Sequence, residues 1–298
     1  IWMGSVDSNA PALVAAFVLL ASSFGPTLAL STLPANLTQT FASARRLFAL
    51  MDEAPAVVEQ GAERPEYQGM TMRDVAFGYG SSAHTFGNRT PGSSSKPVLD
   101  HVSLDVPQYG ILGIQGPSGR GKSTMLKLLM RYWDPDSGMI SLSHIPLPQV
   151  DAGWRRRVQT MMGQETYLFD GTIRENLTIA CNSADSAASA IPDSVLREAL
   201  AKASALELVD ALPNGLDTQV GELGGRLSEG EKQRIGLART FLRDADLVLF
   251  DEPTSRLDAY NESVILGSVN NLAEQGSAVV LVSHRDSTMR VADRILRM

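Results

Sequence analysis

The N-terminal part of the chain is an apolar stretch without charged side chains. No Asp, Glu, Lys or Arg occurs between Asp7 and Arg45, and residues 10–33 are mostly apolar or small. As an α-helix, residues 10–33 would be about 36 Å long, which exceeds the roughly 30 Å hydrocarbon core of a bilayer. We therefore predict a transmembrane helix in the cell membrane. Arg45 and Arg46 follow it, and by the positive-inside rule they place the rest of the chain in the cytoplasm.

Two other interpretations of this stretch are a signal peptide and a buried helix of a soluble protein. A signal peptide would begin with a basic region, and no basic residue precedes the apolar run. A buried soluble helix would be unusually long and free of charge, but it stays an alternative. One span cannot form a transport pathway, so further membrane helices would lie upstream or on another chain.

Helical periodicity continues beyond the apolar stretch. Apolar residues recur every three or four positions from Phe41 to Met51, and Pro55 ends the predicted helix. A charged linker follows, and a strand beginning at Met70 opens a new domain. The predicted divisions are a membrane helix with its cytoplasmic extension (1–54), a linker (55–69) and a domain (70–298).

The domain alternates between short apolar runs and amphipathic segments. Alternation of this kind predicts an α/β fold with a largely parallel sheet. Residues 81–95 are rich in serine and glycine, which indicates a flexible surface insertion. The main predicted strands are 111–116, 245–252 and 277–284, and the main predicted helices are 196–212 and 231–242.

Composition and charge narrow the classes of function. A chain of 298 residues suits one or two domains. Its formal net charge of −7 argues against a nucleic-acid partner, because neutralising phosphates requires a basic surface. The single cysteine, Cys181, excludes an internal disulfide framework.

A glycine-rich motif lies between a predicted strand and a predicted helix. Residues 116–123, which we call the P-loop, fit G-x-x-x-x-G-K-[ST], a pattern whose backbone N–H groups surround phosphate oxygens. Lys122 is expected to reach the β- and γ-phosphates, and the Ser123 hydroxyl to bind Mg²⁺. The predicted ATP-binding residues here are Gly116, Pro117, Ser118, Gly119, Arg120, Gly121, Lys122, Ser123 and Thr124.

Two carboxylates follow the apolar run at 247–250. Ligands of open α/β sheets bind at the carboxyl ends of the strands, so Asp251 and Glu252 are expected beside the P-loop. We predict that Asp251 holds Mg²⁺ through water and binds the nucleotide. Glu252 is predicted to orient and polarise the water that attacks the γ-phosphate.

With these motifs, residues 70–298 resemble the nucleotide-binding domains of ABC transporters, particularly exporters that fuse membrane and ATPase domains. Five further segments carry the resemblance: FGYG, MMGQETYLFDGTIRENL, LSEGEKQRIGLAR, LVSHR and SRLD (255–258), which resembles the family's D-loop. The resemblance implies a P-loop NTPase fold with a helical subdomain. It implies that Tyr79 stacks on adenine, that Gln164 contacts Mg²⁺ or water during catalysis, and that His284 contacts the γ-phosphate.

The resemblance also implies a head-to-tail dimer with a second ABC subunit. Each ATP would lie between one subunit's P-loop and the other's signature motif, where Ser228 and Gly230 would contact it. The family pattern is L-S-G-G-Q, whereas residues 227–231 here are LSEGE. Glu229 adds bulk and negative charge where an anion must approach, and each pair of unit charges about 5 Å apart costs roughly 3 kcal/mol at an effective dielectric of about 20. This favours a heterodimer, and a homodimer that tolerates the change is the alternative.

The sequence therefore predicts the ATP-hydrolysing subunit of an exporter. The alternatives are a soluble ABC ATPase not engaged in transport and a regulatory subunit that binds ATP without hydrolysing it. Residues 42–57 are weakly similar to bacterial thiol-exporting ABC proteins, but the transported substrate stays open.

Overall fold

The computed structural model describes residues 10–52, 55–79, 97–181 and 191–298. The chain divides into two compact units, Ile1–Pro55 and Ala56–Met298. The predicted flexible insertion at 81–95 lies outside the described residues.

The first unit contains one long helix, α1 (Ala10–Met51). The helical periodicity seen up to Met51 is thus confirmed, and the helix ends shortly before Pro55. Within the described part of the chain, no helix combines the length and the apolar character needed to cross a membrane. The transmembrane assignment is therefore not confirmed.

The second unit alternates strands and helices from Met70 onward. In chain order the strands are β1 (Met70–Phe77), β2 (Leu99–Val106), β3 (Gly110–Gln115), β4 (Ser137–Leu142), β5 (Ile145–Pro146), β6 (Gln159–Met162), β7 (Leu247–Asp251), β8 (Ala278–Ser283) and β9 (Arg294–Arg297). The helices are α2 (Lys122–Leu129), α3 (Ala152–Val158), α4 (Ile173–Thr178), α5 (Asp193–Lys202), α6 (Leu206–Ala211), α7 (Glu229–Phe241), α8 (Ala259–Glu274) and α9 (Asp286–Met289).

The central sheet is parallel, with strand order β6-β7-β8-β3-β9. Helices and the second sheet cover its two faces, so β7 and β8 are buried along their whole length and consist almost entirely of apolar residues. Leu247 and Leu249 of β7 enter the hydrophobic cluster on one face, whereas Val248 and Phe250 enter the cluster on the other. This confirms the α/β prediction and aligns the carboxyl ends of the strands along one edge.

A second sheet is antiparallel, with strand order β2-β1-β4-β5. Met70 lies opposite Val106 on one side and opposite Leu142 on the other. The sequence analysis did not separate this sheet from the parallel one, because the apolar spacing of a strand does not show which strand it pairs with.

The predicted helix at 196–212 is wrong as a single element. The structure has two helices, α5 and α6, because Ser204 adopts a left-handed backbone with φ of 55°. The Ser204 hydroxyl lies 2.5 Å from Oδ1 of Asn261, and Ala203 and Ala205 are both fully buried. Apolar spacing continues through this turn, so the pattern did not reveal the break.

The segment 56–69, predicted as a linker, lies along the second unit. The backbone N–H of Glu63 donates to the Gln149 carbonyl at 3.0 Å, and that of Asp151 donates to the Glu63 carbonyl at 2.8 Å. The indole N–H of Trp154 donates to the Pro65 carbonyl at 2.8 Å. The segment therefore belongs to the compact unit that follows it.

Candidate nucleotide-binding site

The P-loop connects the end of β3 to the start of α2, in the position that the sequence predicts. Gly119 and Gly121 have φ angles of 78° and 86°, which favour glycine. A Cβ at Gly121 would lie 2.7 Å from Cδ2 of Leu99 and 2.9 Å from the Val98 carbonyl oxygen. The tight packing of this loop against the start of β2 therefore requires glycine at position 121.

Lys122 lies across the inside of the P-loop. Its Nζ donates to the carbonyl oxygens of Gly116 and Pro117, both at 2.8 Å, and the residue is only 6% exposed. The loop thus holds a buried ammonium group at its centre, beside the N-terminus of α2. A phosphate group entering here would meet both this cation and the N–H groups at the helix N-terminus.

Asp251 ends β7 and lies beside the Ser123 side chain. Burial raises the pKa of the Asp251 carboxyl, and the interaction with Ser123 opposes that shift. The structure therefore brings together two of the three residues predicted to hold Mg²⁺. Gln164, the third, is exposed in the loop after β6, and no described hydrogen bond joins it to the other two.

Glu252 and His284 meet at the same edge of the sheet. Nδ1 of His284 lies 3.1 Å from Oε1 of Glu252. Glu252 has a left-handed backbone with φ of 53°, and its N–H donates to the Val282 carbonyl at 2.9 Å. Neighbouring β7 and β8 thus place these two predicted catalytic side chains within hydrogen-bonding distance.

A buried carboxylate supports the segment that follows His284. Glu262 is 9% exposed and accepts hydrogen bonds from Arg285, Ser287 and Thr288 at 2.8–2.9 Å. Burial alone would raise the pKa of Glu262, but these donors and the Arg285 charge hold it below its usual range. Arg285 also donates to the Ser255 carbonyl at 3.1 Å, so the loops after β7 and β8 are tied together.

Tyr79 lies beside the first turn of α2. Its hydroxyl is 3.0 Å from Oγ1 of Thr124, and its ring is 43% exposed. The ring makes edge contacts with Phe77 and Trp133, whose centroids lie 5.1 and 5.3 Å away. The predicted adenine-stacking residue therefore borders the P-loop. The sequence analysis missed Trp133, since an isolated tryptophan far along the chain gave no signal of this contact.

The signature motif, residues 227–231, forms the start of α7. Ser228 is the N-cap, and it forms a capping box with Glu231, in which each side chain bonds the other residue's backbone N–H. No described hydrogen bond joins Ser228 or Gly230 to the P-loop of the same chain. In the sequence analysis, Glu231 was only a departure from the family pattern. The structure gives it a local role, because it caps the start of α7.

Glu229 is not the isolated negative charge that the sequence analysis assumed. Its carboxylate oxygens lie 2.9 Å from Nζ of Lys232 and 2.6 Å from Nη1 of Arg256. Lys232 and then Arg256 lower the pKa of Glu229, whose side chain is 59% exposed. The electrostatic cost predicted for an approaching phosphate is therefore an overestimate, because two local cations offset this carboxylate.

Comparison with known proteins places this geometry in a family. The family described as "ABC transporter" matches residues 99–255, which is more than half of the chain. The chain belongs to the ABC transporter family. The prediction of an ABC ATP-binding domain is therefore confirmed. In exporters, this domain hydrolyses ATP.

The curated relatives of this ABC transporter chain include a permease protein and a flippase. A "Probable ABC transporter ATP-binding/permease protein" of Haemophilus influenzae is 41% identical over 281 residues, covering 94% of this chain and 47% of that protein. An "ATP-dependent lipid A-core flippase" of Desulfotalea psychrophila is 32% identical over 304 residues, covering 99% of this chain and 49% of that protein. The chain therefore spans about half the length of the curated relatives it matches.

The fold also matches a solved structure, described as a bacterial Atm1-family ABC exporter with ATP bound. The TM-score is 0.73 at 29% sequence identity, and the match covers 88% of this chain and 42% of that one. The similarity extends well beyond the P-loop segment.

Proposed function

We propose that this chain is the ATP-hydrolysing part of an ABC exporter and couples ATP hydrolysis to the movement of a substrate across the membrane. The observation that carries the proposal is the meeting of three groups at one edge of the parallel sheet. These are the P-loop with its buried Lys122, the Ser123–Asp251 pair and the Glu252–His284 pair. ATP hydrolysis requires phosphate binding, metal binding and activation of water, and each of the three groups fits one of these tasks.

The proposal assigns a role in ATP binding or hydrolysis to each protein group. The P-loop N–H groups and Lys122 hold the β- and γ-phosphates. Glu252 orients and polarises the attacking water, and His284 contacts the γ-phosphate and positions the Glu252 carboxylate. Tyr79 stacks on the adenine ring, and its hydrogen bond to Thr124 fixes the ring beside the P-loop.

The residues also fit Mg²⁺. The cation prefers oxygen ligands and is usually held by one or two carboxylates together with substrate phosphates. The Ser123 hydroxyl and the Asp251 carboxylate interact with each other, so the two oxygens lie near one another beside the P-loop. When bound, Mg²⁺ would neutralise charge on the phosphates. Gln164 is proposed to complete the site, which requires its exposed loop to move inward.

The membrane location is part of the same proposal. We assign residues 1–54 to the last membrane helix and its extension, and 70–298 to the nucleotide-binding domain in the cytoplasm. The linker, 55–69, connects them and packs along the second unit from residue 56 onward. The relatives are named as an ATP-binding/permease protein and a lipid A-core flippase, and this chain aligns with about half of each. The transported substrate is left unassigned. Sedimentation of the expressed chain with the membrane fraction supports this assignment, and recovery in the soluble fraction favours a soluble ABC ATPase.

The proposed partner is a second ABC subunit, so that each ATP lies between two subunits. The altered signature motif favours a heterodimer over a homodimer, and the pairing of Glu229 with Lys232 and Arg256 weakens that preference. Analytical ultracentrifugation of the Glu252→Gln chain with MgATP tests the choice. A chain that stays monomeric supports the heterodimer, and ATP-dependent self-association supports the homodimer.

The nucleotide site itself is tested by Lys122→Ala. The substitution removes the cation at the centre of the P-loop, so MgATP affinity should fall by at least about tenfold, or about 1.4 kcal/mol. Lys202→Ala is the matched control, because Lys202 lies in a surface ion pair with Glu198 at 3.0 Å. Calorimetric titration gives both affinities, and unchanged binding by the Lys122 variant would remove the assignment of this site.

A further inference from the structure

The unusual residue of the signature motif contacts the loop that carries the catalytic glutamate. Glu229 is the first residue of α7, and its Oε2 lies 2.6 Å from Nη1 of Arg256. Arg256 is four positions after Glu252, in the loop that joins β7 to α8. The family pattern has glycine at position 229, so the side chain that departs from this pattern is also the one that makes this bridge.

Two further contacts join α7 to the same loop. Nε2 of Gln233 donates to the Glu252 carbonyl oxygen at 3.2 Å, and Gln233 is only 2% exposed. A Cβ at Gly230 would lie 3.5 Å from the Arg256 carbonyl oxygen, which is ordinary van der Waals contact. Helix α7 therefore contacts the loop at both Glu252 and Arg256.

The loop between these contacts needs support. Glu252 has an unfavourable left-handed backbone, with φ of 53°. The Ser255 N–H donates to the Glu252 carbonyl at 3.2 Å, and the Leu257 N–H donates to the Thr254 carbonyl at 3.3 Å, near the long end of the hydrogen-bond range. The side chain of Arg256 joins this short turn to the start of α7 through Glu229.

We propose that Glu229 and Arg256 form a brace that holds residues 252–258 and thereby positions Glu252. Both are positioning residues that act through the backbone of this loop. Lys232 holds the second Glu229 oxygen at 2.9 Å, which fixes the carboxylate on the helix. The functional part of this inference rests on the proposed role of Glu252 in hydrolysis, whereas the structural part does not.

The brace and charge repulsion alone predict opposite effects of Glu229→Gly on ATPase activity. If Glu229 only repelled phosphate, Glu229→Gly would raise ATPase activity. If Glu229 braces the loop, the same change should lower kcat about two- to fivefold, a small effect because exposed ion pairs contribute little. KM for MgATP should change less than kcat, because the P-loop is untouched.

A double-mutant cycle tests the pairing. Glu229→Gly, Arg256→Ala and the double variant are compared by steady-state ATPase activity, with any partner subunit held constant. The brace predicts that the double variant is as active as the less active of the two single variants. It also predicts that Arg256→Lys retains part of the activity that Arg256→Ala loses. Independent effects that multiply, or a gain of activity in Glu229→Gly, would overturn the proposal.

The control pair is Arg197 and Asp210, which join α5 to α6. Their two hydrogen bonds are 2.8 and 2.7 Å, and their side chains are 45% and 44% exposed. This pair resembles the brace in exposure but does not contact the loop. Arg197→Ala and Asp210→Ala should leave kcat unchanged.

Hydrogen exchange provides a readout that does not depend on ATPase activity. In the nucleotide-free chain, Glu229→Gly and Arg256→Ala should each increase the exchange of amides within 252–258 about two- to fivefold, and the control pair should not. Unchanged exchange overturns the brace even if hydrolysis proceeds as proposed. Increased exchange with unchanged kcat keeps the structural contact and overturns its role in positioning Glu252.

Discussion

Glu59, in the segment before β1, forms ion pairs with two buried arginines. Its carboxylate lies 3.0 Å from Nη1 of Arg131 and 2.6 Å from Nη2 of Arg155. The side chains of Arg131 and Arg155 are only 2% and 4% exposed, whereas that of Glu59 is 33% exposed. Arg131 also pairs with Asp134 at 2.8 Å, but the described residues offer Arg155 no other carboxylate. Glu59→Gln should therefore leave one guanidinium buried without an anionic partner.

The size of the effect follows from that burial. Removing one partner of a buried ion pair costs about 3–5 kcal/mol, and partial exposure of Glu59 reduces this to roughly 2–4 kcal/mol. For a domain of this size each kcal/mol lowers Tm by about 2–4 °C, so we expect a fall of roughly 4–16 °C. Nε of Arg155 is already buried without a hydrogen-bond partner, which makes the Glu59 contact harder to replace.

The assay is thermal unfolding of the chain followed by circular dichroism. Glu63→Gln is the matched control, because Glu63 lies in the same segment with an exposed side chain. Replacing both members of the pair, as Glu59→Gln with Arg155→Met, should recover part of the loss, since no unpaired charge stays buried. Equal Tm values for the Glu59 and Glu63 variants would refute the reasoning.

Three further predictions test separate parts of the site. Tyr79→Ala should weaken ATP binding roughly 5- to 150-fold through lost stacking, whereas Tyr79→Phe should retain most of the affinity in the same titration. Gly121→Ala should lower both Tm and ATP affinity because its Cβ would lie 2.7 Å from Leu99, and Gly119→Ala should cost less because no atom lies within 4 Å of that Cβ. The pKa of Glu262 is lowered in the folded chain, so its stabilisation is present above its unfolded pKa and is lost as pH falls through the folded value. Urea unfolding at several pH values should show less acid destabilisation for Glu262→Gln, and an unchanged pH profile would contradict this.

Sequence predicted the parts of the site that depend on neighbours along the chain. The P-loop is one continuous segment, and the Asp251–Glu252 pair lies at the end of a buried strand, so the local pattern was sufficient to predict both. Contacts between distant segments were not predictable in this way. The bridge between Glu229 and Arg256 joins residues 27 positions apart. In the proposed brace, it reverses the expected effect of Glu229→Gly on ATPase activity.

The same distinction applies to the fold. Alternating apolar runs predicted the parallel sheet, because buried strands are apolar on both faces. The antiparallel sheet depends on which strands pair, and the break between α5 and α6 depends on the left-handed backbone of Ser204. The segment before β1 was predicted to be a linker because it is charged. In the structure, one of its charged residues, Glu59, pairs with two buried arginines.

The central claim is that Glu252 activates water in an ATP site built on Lys122. Its most direct test is single-turnover hydrolysis of radiolabelled ATP by the wild-type and Glu252→Gln chains, with the same partner subunit if one is required. The amide keeps the shape of the side chain but cannot polarise water as a carboxylate does. We expect hydrolysis to fall by at least about 100-fold, with ATP still bound and recovered intact. Wild-type hydrolysis by the Glu252→Gln chain would contradict the account, because another residue would then have to activate the water.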